Sequence, residues 1–140
     1  MIRYLIYFIA LYMILPFSAT VDFLTILVFF IIMNEDPRFA IVFAFITGLL
    51  VDLYIPVRLG VNTLIYITIA QVLLLLKKYL MINPLTIIST FVVFLLVKTA
   101  LTNLLVSGPL SPLHIVYSIV LFFPIIMVLN RINFGTWMRV

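Results

Sequence analysis

Apolar residues run through this chain in long unbroken stretches, and polar residues gather in short breaks between them. Tyr4 to Phe17 is uncharged and mostly apolar, with Pro16 near its end, and Ser18–Asp22 ("SATVD") is the first break. Phe23 to Met33 is apolar again. Asn34–Arg38 ("NEDPR") is a strong turn, because the residue before a proline is pushed away from helix. Phe39 to Tyr54 follows and ends near "IPVRLG", and Val61 to Leu76 ends at Lys77 and Lys78. "MINP" leads into Leu85 to Val106. Ser107–Pro112 ("SGPLSP") is the clearest loop, before a last run, Leu113 to Leu129, and a basic tail holding Arg131 and Arg139. A membrane span takes about 20 residues, and about 17 can suffice. The pattern predicts six short spans in a single transmembrane domain covering 1–140, at about 4–17, 21–33, 38–55, 61–77, 84–106 and 113–130.

Composition supports that class. The 140 residues are 67% hydrophobic and 9% charged, with a mean hydropathy of +1.44. A soluble domain needs far more polar surface. In hydrocarbon the backbone must satisfy its own hydrogen bonds, so only helices and closed barrels span. Barrel strands alternate apolar and polar residues, whereas these runs are continuous, so the expected fold is an all-α bundle. Six spans leave no room for a soluble catalytic domain.

The charges then read as topology. With six spans, both termini and alternate loops share one side, which holds Arg3, Arg38, Lys77, Lys78, Arg131 and Arg139. The other side holds Arg58, and Lys98 falls within a span. This is a positive-inside pattern with cytoplasmic termini, and the net charge of +4 is not a nucleic-acid signal. A different reading of the first segment is a signal peptide: Arg3, a 14-residue uncharged run, then Ser18 and Ala19. Cleavage would leave five spans and every remaining charge on its side.

Three charges fall where a membrane protein avoids them: Asp22, Asp52 and Lys98. At the centre of a helix each costs roughly 2.5–3.5 kcal/mol. Asp52 lies 14 residues beyond Arg38, and Lys98 lies 14 beyond Pro84, so both sit about 21 Å up at ~1.5 Å per residue. Asp22, 12 residues from Asn34, sits about 18 Å up. They are expected to form an intramembrane polar cluster of Asp52 and Lys98 with Asp22 or Arg58 nearby. The plainer alternative is two acids wet at the outer interface and a lysine snorkelling along its stem. Ala40, Ala44, Gly48 and Asp52 also recur at i, i+4. Such a ridge of small residues lets another helix approach closely, either within this bundle or from a partner. Arg38, Lys77, Lys78 and Arg131 make a cytoplasmic basic face suited to anionic phospholipid or to a partner near a filament.

Motifs for chemistry are lacking. There are no cysteines, and His114 is the only histidine, with no carboxylate nearby in sequence. Gly48, Gly60, Gly108 and Gly135 form no phosphate-binding loop. Ser107, Ser111 and Ser118 show no nucleophile motif. The tyrosines and Trp137 mostly flank spans, as an aromatic belt does. No enzyme activity, metal or cofactor is expected.

The stretch "FAFITGLLVDLYIPVRLG" resembles the rod shape-determining protein MreD family. That family's central signature is similar to G-L-L-x-D-L followed by a P-x-G or L-G turn. Gly48, Leu49, Leu50, Asp52 and Leu53 match its first part, and Leu59–Gly60 the turn. "VDFL" at Val21–Leu24 is similar to the Pro-Asp-Leu that opens the family's second span, with valine in the proline's place. Arg58 stands where a small residue or proline is common. The resemblance runs from about Asp22 to Lys78, and elsewhere lies in hydropathy alone. It implies a non-catalytic inner-membrane scaffold of the bacterial cell-elongation machinery. Its implied partner is MreC, and through MreC the peptidoglycan synthase pair of RodA and a class B penicillin-binding protein, with the actin-like MreB filament on the cytoplasmic side. It also implies a six-helix bundle similar to the substrate-binding subunit of energy-coupling-factor transporters. Two rival functions share the sequence features: a vitamin-binding transporter subunit, and a small secondary transporter with Asp52 as its proton site.

Overall fold

A computed structural model of the chain describes residues 2–19, 22–55, 59–79, 83–106 and 112–134. Among them are six α-helices: α1 (Ile2–Ile14), α2 (Phe23–Asn34), α3 (Pro37–Tyr54), α4 (Val61–Lys77), α5 (Pro84–Val106) and α6 (Pro112–Phe134). The protein is all-helical as far as it is described. Three helices are long and apolar enough to cross a membrane: Pro37–Tyr54, Leu85–Leu105 and Pro112–Leu129. The other helices are apolar but shorter.

The helix limits follow from local chemistry. After α1 the chain tightens into a 3-10 turn, Leu15–Ala19, which contains Pro16; a proline lacks the N–H that a continuing α-helix needs. Pro37 opens α3 at its first position, where a missing N–H costs nothing. Pro124 lies inside α6, as membrane helices tolerate. Seven hydroxyls donate within their own helices. Thr47, Thr68, Ser89, Thr90, Thr99, Thr102 and Ser118 each donate to the carbonyl four residues back. That lets a polar side chain sit in an apolar helix without an outside partner.

The chain divides into two compact units. The first is 1–27 with 112–140. Its buried residues include Tyr7 and Leu11 of α1, Leu24 to Leu27 of α2, and Phe122 and Leu129 of α6. The second is 28–111, in which α3 packs most extensively on α4, and α4 on α5. Phe29 from α2 sets its ring against Phe91 and Phe94 of α5, with centroids 5.2 and 5.6 Å away, inside the range in which edge and tilted aromatic pairs attract. Every residue from Leu24 to Ile32 is buried, as a helix that is hydrophobic all round should be. Many large apolar side chains face outward, among them Ile2, Tyr12, Leu53, Leu75, Leu104 and Val120. Water would penalise such a surface, and lipid accepts it.

The small-residue ridge is part of the second unit's packing. Ala40, Ala44 and Gly48 are all buried. A Cβ placed on Gly48 would fall on the Cα of Thr63 in α4, with the Thr63 nitrogen at 2.9 Å and the Asn62 carbonyl at 3.1 Å. Backbone cannot give way as a flexible side chain can. Gly48 therefore lets the first turn of α4 lie directly on α3. Gly60 is required for a different reason. Its φ of 91° puts it in the left-handed region that side chains disfavour by roughly 1–2 kcal/mol, and nothing crowds its Cβ position. Gly48→Ala is expected to cost about 3 kcal/mol, the upper end for overpacking, and Gly60→Ala about 1–2 kcal/mol. Thermal unfolding of the two variants in detergent checks that order; equal midpoints would refute the close-approach account.

Candidate functional site

The centre of the second unit is the junction of α3 with α4. The α4 N-cap is Gly60, which has no side chain with which to cap. The first N–H groups of a helix have no partner within it, and the earliest backbone bond of α4 runs from the Leu64 nitrogen to the Gly60 carbonyl. Asp52, two residues from the end of α3, supplies the missing acceptor. Its Oδ2 accepts from the Gly60 nitrogen (3.1 Å), the Thr63 nitrogen (2.9 Å) and Thr63 Oγ1 (2.6 Å). Its Oδ1 accepts from the Asn62 nitrogen and Asn62 Nδ2, both at 3.0 Å. Asp52 as a whole is 2% exposed, so five donors take the place of water.

Magnitudes show why the acid is kept. Near the end of α3 a negative charge meets that helix's own unfavourable dipole, about 0.3–1 kcal/mol. At the start of α4 the dipole favours it by a similar amount. The hydrogen bonds decide the balance: those to a charged group contribute roughly 1.5–3 kcal/mol each, so two already match the roughly 2.5–3.5 kcal/mol cost of a charge in a membrane helix. Thr63 is used twice, its Cα against Gly48 and its nitrogen and hydroxyl on Asp52. Gly48 and Asp52, four residues apart on one face, thus act on the same turn of α4.

Of the residues expected in one polar cluster, Asp52 is the most fully engaged. Among the described residues, every hydrogen bond of the Asp52 carboxylate runs to the start of α4. Lys98 is buried on α5, with its Nζ 5.4 Å from the centre of the Tyr66 ring on α4, a cation–π distance. Asp22 belongs to the first unit. There its carboxylate lies 3.8 Å from His114 Nδ1 and its backbone nitrogen donates to Ser118 Oγ at 3.3 Å. His114, which has no acid near it in sequence, therefore has one in space. Arg58 lies outside the described residues. No three His, Asp or Glu side chains come together among the described residues.

At the opposite end of α4, Lys77 mirrors Asp52. Grouped with the basic face on sequence grounds, it instead directs its Nζ at the end of α2, donating to the Ile32 carbonyl at 2.9 Å and the Glu35 carbonyl at 3.4 Å. Asn34 Nδ2 bonds the Phe30 carbonyl, and the Glu35 nitrogen bonds that of Ile31. Consecutive orphan carbonyls are closed, with a cation at the helix's negative pole. Arg38, Lys78 and Arg131 are exposed.

The geometry of the second unit is that of helices tied to one another at their ends, and comparison with known proteins gives the kind of protein. A family model, rod shape-determining protein MreD, matches residues 2–132. The chain belongs to the MreD family. No curated protein and no solved structure gives a significant match. Membership gives the chain a role in rod-shape determination, within a membrane-protein family that is not an enzyme family. In this MreD chain the family-like motif residues Gly48 and Asp52 are those that join α3 to α4.

Two substitution series test the helix-end account. Asp52→Ala leaves buried donors unpaired and should cost about 3–5 kcal/mol. Asp52→Asn should fall between it and the parent, because either amide orientation sets an NH₂ against at least two of the five donors. Unfolding in detergent gives the order, and an Asn variant as stable as the parent would sink it. Lys77→Leu should cost about 1–2 kcal/mol, with Lys77→Arg recovering most of it in the same assay.

Proposed function

We propose that this chain is a non-catalytic scaffold of the bacterial cell-elongation complex in the cytoplasmic (inner) membrane, binding MreC and helping to regulate peptidoglycan synthesis. The observation that carries this reading is the family match over nearly the whole chain. RodA, a class B penicillin-binding protein and MreB are reached indirectly, through MreC. Each of the six helices serves as a span of one transmembrane domain, with both termini cytoplasmic; the uneven placement of Lys and Arg supports this orientation. The six-helix bundle shares its fold with the substrate-binding subunit of energy-coupling-factor transporters, a likeness that confers no transport.

The side chains fit a scaffold better than a transporter. A proton-carrying or ligand-holding acid has to exchange partners during its cycle, whereas the Asp52 carboxylate is fully engaged with the helix that follows it. Lys98 serves the joint between α4 and α5. The exposed Arg38, Lys78 and Arg131 meet anionic phospholipid headgroups, which favour each cation by about 1 kcal/mol.

Depletion in the source organism tests the function. Rods should widen and round as the protein is lost, with width measured by microscopy. Rods of normal width that acquire a vitamin requirement would overturn the scaffold in favour of a vitamin-binding subunit.

A further inference from the structure

Gln71 lies in the C-terminal half of α4 with its side chain exposed. It is ten residues from Val61 and six from Lys77, or about 15 and 9 Å from the two ends of the helix. Among the described residues its amide makes no hydrogen bond. Water would make such a glutamine ordinary. On the reading of α4 as a membrane span given above, on which this inference rests, the amide is a donor and an acceptor turned toward hydrocarbon, away from water.

The residues around it form a pattern. Leu64, Thr68, Gln71 and Leu75 are all exposed, and they follow one another at intervals of 4, 3 and 4. That is the seam of a left-handed helix pair, in which apolar positions fill each other's gaps and one polar position fixes register. The seam is about 17 Å long at ~1.5 Å per residue. The opposite face of α4, with Thr63, Tyr66 and Ala70, is already buried in the bundle.

We propose that this face of α4 binds the same face of a second copy of the chain, with the two Gln71 amides hydrogen-bonded across a two-fold axis along the membrane normal. The occupant follows from symmetry. Copies inserted with one topology present α4 in parallel and Gln71 at one depth, and a carboxamide is complementary to itself, since it both donates and accepts. A different partner would have to bring a matched polar group to that depth; a second copy already carries it.

The chain has no cysteine, so single cysteines report cleanly on proximity in native membranes. Leu75→Cys should cross-link on oxidation to a species of twice the chain's mass. Val93→Cys, similarly exposed on α5, should remain monomeric. Adding Gln71→Leu to Leu75→Cys should weaken dimerisation by about tenfold, the order of one interhelical hydrogen bond in a membrane, and Gln71→Asn should retain most of it. Three results would each overturn the proposal: Leu75→Cys cross-linking no better than Val93→Cys, a yield indifferent to Gln71→Leu, or an adduct whose mass is that of the chain joined to another protein.

Discussion

The second unit depends on one constraint: the first turn of α4 must lie close enough to α3 for a buried carboxylate to serve as its cap. Two residues meet that constraint together. Gly48 removes the atom that would collide with the Thr63 Cα, and Asp52, one turn further on, accepts from Gly60, Asn62 and Thr63. Neither is sufficient alone. A larger residue at 48 would lift α4 away and lengthen every bond to Asp52. An apolar side chain at 52 would leave the buried N–H groups of Gly60, Asn62 and Thr63 without their acceptor, at about 1–3 kcal/mol for each unmet group.

The same logic recurs at the other end of α4. The α2 helix has 12 residues, about 18 Å, against a hydrocarbon layer of about 30 Å. A helix that short does not reach across that layer by itself, and wherever its C-terminal end is buried, protein has to close it. Lys77 does so with a charge of the sign the α2 dipole calls for. In lipid the hydrophobic effect does not hold helices together. Helix-end closure therefore contributes more to specificity here than it would in a soluble bundle, and it offers a physical reason to keep these charges that needs no chemistry.

Much of this was legible in the sequence, for reasons of period and cost. Long apolar runs broken by Pro, Gly and charge marked the helices, and the i, i+4 spacing of Ala40, Ala44, Gly48 and Asp52 marked a close-packed face. The acid's partners were not legible. Formal charge pointed to Lys98, level with it along the chain, while three of the five groups that bind it are backbone N–H donors, which no residue letter records. The signal that was available is Gly60 at a helix start with no capping side chain, a gap that another residue has to fill. Likewise Asp22 and His114 are 92 positions apart, and their meeting depends on tertiary packing. Gln71 carries no charge to mark it in the sequence; only its exposure on α4 makes it unusual.

These features bear on how a small helical membrane protein can hold its shape. A small bundle transmits force or position to partners only if its helices keep a fixed relation, and lipid-facing packing alone allows sliding. Directional bonds at both ends of α4 remove that freedom. They leave the α4 face carrying Leu64 and Leu75 turned outward on a helix tied at both ends, and a preorganised face binds with less loss of conformational entropy than one that must order on contact. On this view the buried acid and the outward surface are parts of one design. Asp52 fixes where α4 starts, and so fixes how that helix, with its outward face, is set against α3.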